Sequence, residues 1–509
     1  MQRFRWERYI GHLILLLGLL ASAGAHGDAP PPIALIPQDG FNLEIVDQVT
    51  PHYVVVQLAT PAHNWFAGTF TNLPTDKEVT IGLSMAGNDT RGNAADVTKW
   101  VGLMPVMTYA DPTQYETYEW FQKDAQGRWV SGDPFKQGEE KFAGMGKTPE
   151  QSVIPKDIAE QFLSQEGTYW QAWREVDKAE AVPGINVFRV TQRFAYPTAT
   201  VAMRVPYTYT YLQQFIARLQ MAKMPGVFVD ELGETPEKRK LLMLRLEDPS
   251  GIQANKEAIR SILIDAAEHA TEHAASWAAH GLLAALLDAK GKPLRRNMAW
   301  LILLIHDPDG NAHSQFDRLT DIFCDPYNKN KPPEVFAFAQ YFIKYVDDGK
   351  TIDLSLTLHN VEANECENIY CPFIDRRFPN RVIIFNEMLF DDLKKEGYVT
   401  PATGDCPDKG WMNFRLYGWC ALHFGTFDLA YEVNDRYPKQ RLTLAALEQI
   451  GSMMGMSIGK WLNSESGNQW HNQAREVLRK REEERKQYLT NRGYDPKHRS
   501  KAEILMRAY

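Results

Sequence analysis

The sequence predicts an α/β protein with two kinds of sheet: an N-terminal antiparallel β-sandwich, followed by a mostly parallel sheet covered by helices on both faces. Three observations carry this. Between Asn42 and Met203, short alternating or β-branched runs are separated by Pro, Gly, Asn and Asp clusters, the pattern of strands with one solvated face joined by turns. Beyond residue 240 the apolar runs become continuous and alternate with amphipathic helical stretches, as strands buried on both faces require. The length of 509 residues suits two to three domains, each with a core of its own.

The sandwich strands are expected at Tyr53–Leu58, Glu78–Leu83, Val187–Phe194 and Thr198–Met203, and the aromatic stretch Tyr115–Trp129 is read as packing rather than as an exposed binding face. Pro206–Lys223 switches to a helical period, and the polar segment Gly226–Lys240 serves as the junction. The second region then supplies the apolar runs Leu241–Leu246, Ile262–Ala266, Ala299–Ile305, Leu354–Leu358 and Val382–Phe385, separated by helices near 273–289, 333–346 and 387–395. The charge run Arg479–Lys486 marks a solvated helix. The expected divisions are 1–25, 26–225 for the sandwich, 226–465 for the α/β region and 466–509 for a charged helical tail.

Residues 1–25 read as a signal peptide. Arg3, Arg5 and Arg8 precede the apolar run Leu13–Ala21, and Ala23-Gly24-Ala25 offers small residues at the cleavage positions. The apolar run is shorter than a membrane span needs, so an exported, periplasmic or secreted chain with no stable span after signal removal is expected; an uncleaved anchor is the alternative. In an oxidising compartment the five cysteines, Cys324, Cys366, Cys371, Cys406 and Cys420, can form at most two bridges. None has the spacing of a zinc ribbon, so they are read as local staples or buried thiols. The net charge of −8 gives no basic footprint for nucleic acid, and a peptide or protein substrate fits better. Oligomeric state is not legible.

Chemistry concentrates where apolar strands end, because ligands of such sheets bind beyond the carboxyl ends of the strands. The run Ile262–Ala266 is followed by Glu268-His269-Ala270-Thr271-Glu272-His273 and a helical stretch. His269 and Glu272, three apart at a strand-to-helix turn, can place a nitrogen and an oxygen on one ion, and this ligand pair suits zinc. His359, at the end of another run, would complete a His, Glu, His set with a position open for water. Hydrolysis also needs a base. Glu432, in the apolar run Phe427–Val433, is the candidate, and a structural ion pair with Arg415 or Arg436 is its alternative.

In that order, His269-Ala270-Thr271-Glu272, Asp307-Pro308-Asp309-Gly310, His359 and Glu432 resemble the zinc metallocarboxypeptidase family, with Asp307 where the family usually has Asn. Asn64-Trp65-Phe66, Val106-Met107-Thr108-Tyr109 and Val205–Leu212 are similar to the β-domain of its cytosolic carboxypeptidase subgroup. The resemblance implies one zinc ion held by His269, Glu272 and His359, with Glu432 as general base and Arg318 stabilising the oxyanion. The family's Asn and Arg that grip the substrate carboxylate have no match after Arg318, where the chain reads Asp321-Ile322-Phe323-Cys324. Arg376 and Arg377 are the candidate replacements, with a solvent-facing basic pair as the alternative. Removal of C-terminal residues is the expected activity. Three other readings stand beside it: a zinc amidase or endo-acting peptidase without a carboxylate clamp, a non-catalytic binding protein on this scaffold, and an HxxEH site in which His269 and His273 bind the ion and Glu272 is the base.

Overall fold

A computed structural model of the chain describes residues 31–59, 65–84, 185–248, 259–316, 318–319, 332–360, 416–433 and 444–491 apart from 195, 289, 290 and 297, together with short strands at 106–108, 121–123, 129–131, 171–172, 180–182 and 368–370 and the single helical residues 393 and 395. Among the described residues, twelve strands precede the first helix. They are β1 (Ala34–Ile36), β2 (Leu43–Thr50), β3 (Tyr53–Leu58), β4 (Ala67–Thr71), β5 (Glu78–Ser84), β6 (Val106–Thr108), β7 (Phe121–Lys123), β8 (Trp129–Ser131), β9 (Gln171–Ala172), β10 (Glu180–Val182), β11 (Ile185–Arg193) and β12 (Ala199–Ala202). One sheet runs β1-β4-β12-β6-β9 and a second β10-β11-β5-β3-β2. Every pairing in them is antiparallel except β3 with β5. Alternation in β3 and β5 sends Val54, Val56, Ile81 and Leu83 inward, where they share one apolar cluster with Phe66, Phe70 and Val201 of the other sheet. The aromatic stretch near residue 120 supplies the hairpin β7–β8; its side chains lie outside the described residues.

Helix α1 (Tyr209–Ala222) begins where Thr208 accepts the Tyr211 amide at 3.1 Å and ends at Lys223 in the left-handed region. The next segment departs from the sequence expectation. Instead of a linking stretch, residues 227–234 form β13 (Val227–Glu234), the edge strand of the main sheet, paired antiparallel with β14 (Lys240–Glu247). Its polarity reflects edge position: one side is solvated, and a bulge between Glu231 and Gly233 bends it.

The main sheet continues with β15 (Arg260–Ala266), helix α2 (His273–Leu287), β16 (Met298–Leu303), the short helix α3 (Pro308–Ala312), α4 (Pro333–Asp347), β17 (Leu354–Asn360), β18 (Asn368–Tyr370), α5 (Leu416–Phe424), β19 (Phe427–Val433), α6 (Leu444–Leu462) and α7 (Glu465–Asn491). Its order is β13-β14-β16-β15-β17-β19-β18. The four central strands are parallel, and antiparallel strands flank them. Successive side chains leave on opposite faces: Ile262, Ile264, Trp300 and Ile302 join the cluster under α2 and α6, whereas Leu263, Ala299, Leu301 and Leu303 join the one under α4 and α5. Burial on both faces explains the uninterrupted apolar runs.

All of α2 is buried, so it needs no polar face. It meets α6 at glycine contacts close enough that a Cβ on Gly281 would lie 2.1 Å from the Glu448 carbonyl oxygen. Ala has the better helix propensity by about 1 kcal/mol, yet the clash is with backbone and dominates. Gly281→Ala is therefore expected to lower stability by about 1–3 kcal/mol in urea unfolding; a rise would show that the helices can separate freely. The tail helix α7 buries Trp470, His471 and Ala474. Asp353 receives Trp470 Nε1–H on its carbonyl at 3.0 Å and His471 Nδ1 on its carboxylate at 2.6 Å. Further along, Arg479 pairs with Glu476 and Glu483 on a solvated face, as the charge run implied. Among the described residues no helix is long and apolar enough to cross a membrane.

Candidate metal centre

The central parallel strands deliver the site. β15 ends at Ala266, and Ala267 then turns into the left-handed region with φ of 54°. This is an uncommon conformation for a residue with a Cβ, of the kind that concentrates at functional sites. The chain continues as a tight turn in which the Glu272 amide donates to the His269 carbonyl at 3.0 Å and the Ala270 amide to Phe316 at 3.2 Å. Glu272 occupies the N-cap position of α2 but makes no side-chain cap. Its carboxylate goes elsewhere: Oε1 lies 2.8 Å from His269 Nδ1, and Oε2 lies 2.9 Å from His359 Nδ1.

His359 arrives on β17, whose Leu358 is in register with Ala266 of β15. Glu432 of β19 is the Cα partner of His359 and is partly buried. Paired residues on adjacent strands point to the same face, so Glu432 stands beside the His359 imidazole, and its charge contributes to the proton affinity of that ring. The His269 ring stacks on Phe316 at 4.2 Å and 15°, which fixes its plane.

The donor atoms of His269, Glu272 and His359 all lie within 4.8 Å of one another. Among the described residues they form the one such group of three or more His, Cys, Asp or Glu side chains. Burial opposes charge on Glu272, but His269 and His359 overcome it and hold the carboxyl below its ordinary range. Burial would likewise suppress charge on His359, yet Glu272 and Glu268 raise its pKa well above the ordinary value. The pocket thus selects for positive charge, a demand that a divalent ion meets, and two imidazoles with a carboxylate are a zinc ligand set with a position open. The three residues fit the ion.

His273 is placed differently. It is the first residue of α2, and its Nδ1 lies 2.9 Å from the Tyr207 amide nitrogen and 3.1 Å from the Tyr207 carbonyl. Its ring contacts Trp65 at a centroid distance of 4.0 Å. Because the helix starts only at His273, His269 and His273 do not share a helical face, and the HxxEH arrangement is not the one formed. The β-domain motifs explain themselves here. Trp65 Nε1–H bonds the Gly40 carbonyl and Ser314 Oγ at 3.1 and 3.2 Å, Tyr207 OH meets His280 Nδ1 at 2.7 Å, Trp277 Nε1–H bonds the Val205 carbonyl at 3.1 Å, and Arg204 reaches the Thr271 carbonyl at 3.4 Å. Asn311 ties the Tyr207 and Ala270 carbonyls together at 3.1 and 3.2 Å. Arg204, Asn311 and Tyr207 thereby hydrogen-bond the 270–273 segment that adjoins His269 and Glu272.

Arg318 is engaged with two buried carboxylates. Its Nε donates to both oxygens of Asp307 at 2.9 and 3.0 Å, and Nη2 to Glu334 Oε1 at 2.6 Å. Burial would lower its pKa, but Asp307 and Glu334 raise it above the ordinary range. Asp307 meanwhile caps α3 through the Gly310 amide at 2.9 Å. An aspartate at this position, where the resembled pattern has asparagine, supplies the charge that holds the guanidinium. Arg376, Arg377, Arg415 and Arg436 lie outside the described residues, as do four of the five cysteines; Cys420 is buried.

Phe316, Glu268 and the buried pair in which the Asp265 carboxyl oxygens lie 2.9 and 3.1 Å from His306 Nδ1 go beyond the sequence expectations. Glu268 is 1% exposed, and its Oε2 lies 3.4 Å from His359 Nε2. The available signal was a second carboxylate directly before His269.

A His, Glu, His group at the carboxyl ends of parallel strands, with a carboxylate alongside, is a candidate metal centre of an α/β fold. Residues 212–323 match the zinc carboxypeptidase family, Peptidase_M14. That stretch contains His269, Glu272 and Asp307–Gly310, whereas His359 and Glu432 lie beyond it. Over 164 residues the chain is 28% identical to cytosolic carboxypeptidase 6 of Mus musculus, and the matched stretch spans 30% of either chain. The fold is shared with a metallo-carboxypeptidase from Burkholderia cenocepacia, with a TM-score of 0.59 at 14% identity over 84% of this chain and 98% of the other. A metallo-carboxypeptidase from Pseudomonas aeruginosa, solved with (2-guanidinoethylmercapto)succinic acid, gives 0.57 at 14% identity over 84% and 98%. Residues 212–323 are thus similar to a zinc carboxypeptidase domain, and the mixed α/β fold is one shared with solved metallo-carboxypeptidases.

Proposed function

We propose that the protein is a zinc-dependent metallocarboxypeptidase that removes C-terminal residues from peptides or proteins outside the cytoplasm. The observation that carries the reading is the convergence of His269, Glu272 and His359 within 4.8 Å, with Glu432 in register beside His359. A zinc ion held by these three residues supplies the Lewis acidity that amide hydrolysis at neutral pH needs. Glu432 takes the proton of the attacking water and returns it to the leaving amine nitrogen, which releases the new amino terminus. His269, stacked on Phe316, and His359, set by β17, keep their donor atoms oriented. Arg318 fixes the Asp307 turn, and its service as an oxyanion donor requires the exchange of one of its carboxylates for substrate. The export proposal is supported by the basic and apolar N-terminal sequence.

The test is elemental analysis of the purified chain followed by a screen of free and blocked peptides. One zinc per chain and cleavage confined to free C-termini support the reading. Equal cleavage of free and amidated peptides would replace it with an amidase or endo-acting specificity, and zinc without any cleavage would favour a binding protein. The clamp has its own expected result. If Arg376 or Arg377 grips the terminal carboxylate, its replacement by Ala lowers kcat/KM for free-carboxyl peptides by roughly ten- to a hundred-fold, the value of a charge-assisted contact, and leaves amidated peptides unaffected. An equal effect on both substrates assigns the pair to the surface.

A further inference from the structure

We propose that Glu268 is the positioning residue of the metal site: its carboxylate takes the Nε2 side of His359, so that Nδ1 is the nitrogen presented beside Glu272. The inference rests on the zinc reading of the site and deepens it. The two ring nitrogens of His359 face two different carboxylates, Nδ1 that of Glu272 at 2.9 Å and Nε2 that of Glu268 at 3.4 Å. A neutral imidazole has one N–H and one lone pair. A carboxylate on the Nε2 side keeps the hydrogen there and leaves the Nδ1 lone pair for a cation. Carboxylates that hold the far nitrogen of a metal-binding histidine fix its tautomer and ring plane and raise its basicity.

The placement is specific to the backbone. Ala267 at φ 54° breaks the pleat just after β15, and beyond it Glu268 is 1% exposed against 9% for His269. Glu268 and His359 are each 1% exposed, and a carboxylate buried this deeply is costly unless an opposite charge or donor accompanies it. The other buried carboxylate at this strand end, Asp265, is bonded to His306 instead. It therefore provides a comparison: a buried carboxyl group on the same strand end whose hydrogen-bond partner is His306.

The experiment measures zinc affinity of the full chain by chelator competition, and the absorption spectrum of the cobalt(II) form, for wild type, Glu268→Leu, Glu268→Gln and Asp265→Asn. Removal of the carboxylate in Glu268→Leu weakens zinc by roughly 10- to 100-fold. Glu268→Gln keeps an acceptor for Nε2–H and recovers most of that loss, but its saturated cobalt spectrum still differs from wild type because the charge behind the ligand is gone. Asp265→Asn lowers thermal stability but weakens zinc binding much less than Glu268→Leu does. The proposal is overturned if Glu268→Leu binds zinc as tightly as wild type, or if Asp265→Asn weakens zinc equally, which would make the effect one of general charge. Should Glu268→Leu fail to fold, Glu268→Gln decides: an unchanged affinity and an unchanged cobalt spectrum overturn the assignment. A wild-type chain that binds no zinc refutes the metal reading itself, and this inference with it.

Discussion

Replacing Glu432 by Gln should leave fold and zinc content unchanged and reduce peptide hydrolysis by roughly 10²- to 10⁴-fold, the usual contribution of a positioned general base. Gln preserves the volume and one oxygen, so packing along β19 survives, but an amide cannot take the proton of a water. The placement is what makes the effect large. Glu432 is neither a surface carboxylate nor fully enclosed, and it is registered on His359 in the strand next to β17. The measurement is kcat/KM for a free-carboxyl peptide alongside metal analysis of the same sample. A variant within a few-fold of wild type would return Glu432 to the ion-pair role that the sequence left open, and loss of zinc would mean that the carboxylate belongs to the ligand set.

The legibility of this site in the sequence follows from its geometry. Strand ends are visible because strands buried on both faces produce continuous apolar runs, so His359 after Leu354–Leu358 and the turn after Ile262–Ala266 could be located without knowing how the strands are ordered. The candidate metal pair His269 and Glu272 is legible because a three-residue spacing is local. Glu268 was not, because its direction depends on the left-handed backbone at Ala267, and alanine gives no signal for that conformation. Arg318 was ambiguous for a different reason: its partners Asp307 and Glu334 come from two separate segments, and only tertiary structure shows the guanidinium held between them. The edge strand β13 was read as a junction because an edge carries one solvated side and mixed polarity, which propensity alone does not separate from a loop. The β-domain motifs gave family resemblance but not their physical role, which is to brace the metal turn through Trp65, Arg204 and Tyr207.

The two histidines flanking Glu272 should separate cleanly by metal content. His359→Ala is expected to lose the ion, because two ligands remain and the Nδ1 that faces Glu272 is gone. His273→Ala is expected to keep it, since the His273 ring is committed to the Tyr207 backbone and to Trp65. Its cost is in stability, about 1–3 kcal/mol for a buried hydrogen-bonding partner removed. Thermal unfolding with and without added zinc distinguishes the two kinds of loss. A ligand that binds only the folded chain stabilises it by about 2.7 kcal/mol at a hundred times its Kd, so wild type and His273→Ala should both gain melting temperature on zinc addition, the latter from a lower starting point. His359→Ala should gain nothing. The opposite pattern, with zinc stabilising His359→Ala and not His273→Ala, would establish that the ion sits between His269 and His273. In that case Glu272 becomes the base rather than a ligand, and Glu432 loses its place in the reaction.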